Sequence, residues 1–84
     1  MSRIIEAHEI PYGRVCEGIF QLECVTAAHK TIHGSTVYHV KTGETDDGDN
    51  VVEYAHAPQW ICKDSDGRWS VKSRMEVKVG RNLI

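Results

Sequence analysis

The sequence predicts an α+β domain: a mostly antiparallel sheet of about five strands, with one or two helices packed on one face. Three observations carry this. One stretch above the others, residues 22–33, repeats its apolar residues at helical spacing. The other apolar runs are short, rich in β-branched and aromatic residues, and separated by polar, glycine-containing turns. The length, 84 residues, suits a single domain over residues 1–84 with one modest core.

Taken in order, Ser2 to Ile10 is short and apolar at Ile4, Ile5 and Ile10, and Pro11-Tyr12-Gly13 breaks it. Arg14 to Phe20 is read as a strand through Val15, Ile19 and Phe20. Glu17 and Leu22 would also let a helix begin there, but Gly18 weakens a helix interior by about 1 kcal/mol relative to alanine. Leu22 to His33 is read as the main helix. Leu22, Val25, Ala28 or His29, and Ile32 share one face, Gly34 follows as a left-handed terminator, and Glu23 and Lys30 suit the helix dipole.

The remainder reads as β. Thr36 to Lys41 and Val51 to His56 form a hairpin about the polar turn Gly43 to Asn50. Pro58 ends it. Trp60 to Lys63 and Arg68 to Ser73 form a second hairpin about Asp64-Ser65-Asp66-Gly67. Arg74 to Val79 alternates, with Met75, Val77 and Val79 on one face and Arg74, Glu76 and Lys78 on the other, as a half-buried strand would.

Composition excludes several classes. A chain 40% hydrophobic and 26% charged is globular rather than disordered. No apolar run approaches the length of a signal peptide core or a membrane span, so a cytoplasmic location is expected, with no membrane partner. Three cysteines, Cys16, Cys24 and Cys62, are odd in number and widely spaced, which argues against a disulfide framework. Net charge is −2 but uneven: through Ala55 nine acids face four bases, and from His56 onward six bases face three acids. The acidic part would repel nucleic acid and attract a basic groove.

Candidate chemistry is sparse. His29 and His33 stand four apart on the predicted helix and could share one ion, but zinc wants four nitrogen or sulfur ligands and no C-x-x-C pair completes the set. No local signature marks a cysteine–histidine nucleophile, and each cysteine reads as a small buried hydrophobe. Asp64-Ser65-Asp66-Gly67 starts like a calcium loop, yet its glycine comes two residues early and the bidentate position falls on Met75, so it reads as a turn. Tyr38, Tyr54, Trp60 and Trp69 could stack bases, but cations are not interleaved with those in the acidic part. Hence no enzyme, cofactor or metal is expected, and a chain this short favours a binding role.

The order of several short motifs resembles the uracil-DNA glycosylase inhibitor family of bacterial viruses. Ile4-Ile5-Glu6 matches the family's I-I-E, and Cys16-Glu17-Gly18-Ile19 is similar to its Q-E-S-I edge strand. Glu44 to Val51 is similar to its acidic hairpin turn ending in N-V, Ala57-Pro58 to its A-P, and Asp64-Ser65-Asp66-Gly67 to its D-S-N-G. The resemblance implies a DNA mimic that occludes a host enzyme. Glu17 would stand in for a phosphate, flanked by Gly18 and Ile19, with Glu23 beside them. Leu22, Val25, Ile32, Val52 and Tyr54 would line an apolar recess between helix and sheet. The chain departs from the family in its modest charge, in the helix stretch C-V-T-A-A-H-K, and in a basic tail with Lys78 and Arg81. The leading expectation is therefore a phage-type inhibitor of a host DNA-processing enzyme, with no direct nucleic-acid contact. An inhibitor of a CRISPR or other defence complex, and a small nucleic-acid-binding module using the basic C-terminal strands, are the alternatives.

Overall fold

The computed structural model describes residues 3–77. Among the described residues, six strands form two antiparallel three-stranded sheets: β1 (Ile4–Glu9), β5 (Trp60–Asp64) and β6 (Trp69–Lys72) in the order β1-β5-β6, and β2 (Val25–Lys30), β3 (Thr36–Glu44) and β4 (Asn50–Ala55) in the order β2-β3-β4. A four-residue helix, α1 (Glu17–Phe20), joins β1 to β2, and residues 74–77 are helical. The α+β class expected from the sequence is therefore what the chain adopts, with its strands divided between two sheets.

Three hairpins close with one loop chemistry. In Thr31-Ile32-His33-Gly34-Ser35, Thr45-Asp46-Asp47-Gly48-Asp49 and Asp64-Ser65-Asp66-Gly67-Arg68, the glycine N–H donates to the first residue's carbonyl, at 2.9–3.0 Å. The first residue's N–H then donates to the fifth residue's carbonyl, at 2.8–3.0 Å. The first residue's side-chain oxygen accepts the fifth residue's N–H, from Ser35 to Thr31 Oγ1, Asp49 to Thr45 Oγ1 and Arg68 to Asp64 Oδ1. Each glycine has φ between 83° and 88°, left-handed backbone in which a Cβ is strained. A threonine or aspartate three residues before a glycine is thus the local code for reversal here.

The two sheets share a core. Tyr38 and Val40 of β3, Ala55 of β4 and Ile61 of β5 meet Ile10, Ile19 and Cys24, and all are buried. Trp69 and Val71 pack on this cluster from β6. Two polar atoms inside it are satisfied: the Tyr38 hydroxyl accepts the Cys16 N–H at 2.7 Å, and the Thr36 hydroxyl donates to the Gly13 carbonyl at 2.8 Å. A second cluster, Ile4, Cys62 and Val77 with Ala7 and Trp60, covers the opposite face of β1-β5-β6.

Three expectations are corrected. Residues 22–33 hold no helix; Val25–Lys30 is a strand paired with β3, and Gly34 ends a hairpin turn instead. Its left-handed conformation was legible, but not what it terminates. Val25, Thr26, Thr31 and Ile32 are β-branched and lose rotamer freedom in a helix, and the strand ladder with β3 wins. The strand expected over Arg14 to Phe20 is helical from Glu17, with Cys16 as its N-cap; Phe20 N–H donates to the Cys16 carbonyl at 2.9 Å. Arg74 to Val77 is helical because Ser73 and Glu76 bond reciprocally. The Glu76 N–H donates to Ser73 Oγ and the Ser73 N–H to the Glu76 carboxylate, both at 3.2 Å. That S-x-x-E capping box overrides the alternation of Met75 and Val77. Lys78, Val79 and Arg81 lie outside the described residues.

Candidate functional site

Strand β4 is the border of its sheet, and among the described residues no strand pairs with its second edge. Its partner β3 alternates Thr36, Tyr38 and Val40 inward with Val37, His39 and Lys41 outward. Register then dictates what β4 displays: Tyr54 stands opposite His39, and Val52 opposite Lys41. Val51, Val52 and Tyr54 are all exposed, Tyr54 by 63%. The turn before β4 is acidic. Residues 42–54 contain Glu44, Asp46, Asp47, Asp49 and Glu53 and no lysine or arginine. Lys41 neutralises one of these, at 2.7 Å from Glu44 Oε1, and holds that carboxyl below its ordinary range. The hairpin is thus an anionic arm with an apolar, open border.

The residues singled out from the sequence do not converge. Glu17 is exposed, as a phosphate stand-in must be, but it sits in the first turn of α1 and not on an edge strand. Gly18 follows it on α1, and Ile19 is buried in the main core. Glu23 is already engaged: its carboxylate accepts the Trp69 indole N–H at 3.3 Å and lies 3.6 Å from Lys63 Nζ. Lys63 also stands over the Trp69 ring, 5.6 Å from its centroid. Leu22 and Val25 pack against the main core. Ile32 is 97% exposed at a turn tip, and Val52 and Tyr54 lie on the outward face. The expected recess between helix and sheet is not formed by these residues. The cleft beside Glu23 has the charged residues Lys41, Glu44 and Arg68 in its walls together with Cys24 and Trp69.

Histidines are rearranged too. His33 lies in the turn after β2, and His29 on β2 meets His39 on β3 instead, with His29 Nδ1 2.7 Å from His39 Nε2. Tyr54 closes the group, its ring centroid 4.9 Å from that of His39 in an edge-on arrangement. Sequence reasoning missed this trio because it placed His29 on a helix. The signal was the T-x-x-G-S turn, which sets β2 and β3 antiparallel. Cys24 and Cys62 are buried, and burial pushes the Cys24 thiol up to about 11, so it stays protonated and unreactive near neutral pH. The Asp64 loop is a turn: Asp64 Oδ1 accepts the N–H groups of Asp66 and Arg68.

Among the described residues, no helix is long and apolar enough to cross a membrane. No family model, curated protein or solved structure matches this chain.

Proposed function

We propose that this protein is a docking module, not an enzyme, which binds a basic, nucleic-acid-handling surface through β4 and the acidic turn before it. One observation supports this most directly: an open sheet border with Val51, Val52 and Tyr54 exposed continues into an acidic turn, and among the described residues Lys41 pairs with Glu44 beside that turn while no ion pair engages Asp46, Asp47 or Asp49. A strand edge offers backbone hydrogen bonds, Tyr54 offers a low-entropy anchor, and the carboxylates steer the encounter. The polyanion mimicry implied by the resemblance is thereby moved from Glu17 to Asp46, Asp47, Asp49 and Glu53. The basic residues do not favour direct nucleic-acid binding equally, since Lys63 is held by Glu23 and Trp69.

Uracil-DNA glycosylase is the first partner to test, and a nucleic-acid-guided defence effector the second. Inhibition of purified glycosylase at micromolar protein is the expected result; no inhibition removes that target. With either partner, the triple variant Asp46→Asn, Asp47→Asn, Asp49→Asn should lower the association rate about tenfold or more at low salt. An unchanged rate, with binding otherwise intact, rejects the acidic turn as the docking element.

A further inference from the structure

We propose that His29 and His39 form a two-histidine site for a late first-row divalent metal ion, copper(II) or nickel(II) ahead of zinc. The two residues are diagonal neighbours across the β2–β3 ladder: His39 is paired with Ala27, and His29 lies two residues farther along β2, opposite Val37. Both point to the outward face, and long side chains on such diagonals can touch. Ala27 contributes only a methyl beside His39, which leaves room for the His29 ring to lean across.

The ring nitrogens converge to 2.7 Å, and a metal ion can replace the proton between them. Each neutral ring then binds through the facing nitrogen and carries its proton on the other one. The ring that had donated shifts its proton to its far nitrogen, so no net proton is released. The separation selects the ion. With metal–imidazole bonds of about 2.0–2.1 Å, a square-planar right angle needs about 2.9 Å between the nitrogens, and a tetrahedral angle about 3.3 Å. The first requires the rings to part by about 0.2 Å and the second by about 0.6 Å, each with a tilt that turns both facing lone pairs onto an ion beside the line between them. Copper and nickel also stand high in the divalent affinity order.

Tyr54 walls one side of the pair; His29 is exposed and His39 half-buried, which leaves the pair reachable from solvent. Lys41, two residues along β3 on the same face, is the neighbouring cation, and Glu44 holds it. This site does not depend on the docking reading, and it needs no partner to be observed.

The full chain would be titrated with copper(II), and with nickel(II) as a probe that the half-buried Cys16 thiol does not reduce. One ion per chain is expected, with loss of the His29 and His39 imidazole proton signals before those of His8, His33 and His56. His29→Gln lies on an exposed position of an outer strand and should keep the fold; it should weaken nickel binding at least tenfold, whereas His33→Gln should leave it unchanged. Zinc should bind at least tenfold more weakly than copper. Equal nickel affinity in His29→Gln, or broadening that starts at other histidines, would overturn the site; zinc binding as tight as copper would overturn the geometry assigned to it.

Discussion

Sheet β1-β5-β6 buries side chains on both faces, while sheet β2-β3-β4 buries them on one. Each contains at least one hairpin with the same loop, and both contribute to one core, so local sequence does not explain the contrast. What differs is cover. Ile4, Cys62 and Val77 pack together on the outer side of the first sheet, with Val77 brought there by the capped helical segment 74–77. The outer side of the second sheet carries His29, His39 and Tyr54 and is exposed beside a border strand that has no second partner among the described residues. Where apolar area is covered, it stabilises the fold; where it stays open next to carboxylates, it is available for recognition.

Substitutions separate these roles. Ile61→Ala, in the core that both sheets share, should cost about 2–5 kcal/mol in urea unfolding, because the site is fully buried and cannot collapse easily. Val77→Ala should cost about 1–2 kcal/mol, the loss of two methyl groups from the cover of the first sheet. A cost near zero there would mean that this face needs no cover, and the contrast between the sheets would fail. Tyr54→Ala should shift stability by less than about 0.5 kcal/mol while weakening partner binding by about 2 kcal/mol or more. The opposite result would make Tyr54 a structural residue.

The smallest effect is a pH response. Hydrogen bonds from Ser73 hold the Glu76 carboxyl below its ordinary value of 4.5. A lowered folded value means that its contribution is fully present above 4.5 and is lost as pH falls through the lower, folded value. Acidification in that window should loosen the Val77 cover, read as a change in fluorescence of the neighbouring Trp60. Glu76→Gln should abolish that step; a step of the same size in the variant would assign it to another group.

Much of the β structure was legible. The runs Thr36 to Lys41, Val51 to His56 and Trp60 to Lys63 each fall in strands, rich in β-branched and aromatic residues and bounded by turns that the sequence marks with glycine or proline. The helix expected at residues 22–33 failed for a physical reason. Val25, Ala28 and Ile32 fit a helical face by spacing, yet Val25 and Ala28 pair with Val40 and Tyr38 once β3 supplies a ladder, Ile32 falls in the turn beyond, and spacing alone cannot weigh a partner distant in sequence. Ser73-x-x-Glu76 was a local signal and was readable, but the alternation of Met75 and Val77 masked it. Among the site residues, the acidity of the Asp46–Asp49 turn was visible, whereas the meeting of His29 with His39 was not.

The sequence by itself determined where the chain reverses, since a glycine three residues after a threonine or aspartate satisfies the turn with bonds that span only five residues. It also determined the anionic character of the middle of the chain, which is a matter of composition. Only the tertiary structure decided which strands lie side by side, which face stays open, and which histidines touch. Those outcomes depend on pairings between distant segments, whose free energy comes from burying Tyr38, Val40 and Ile61 together and is not written in any one of them.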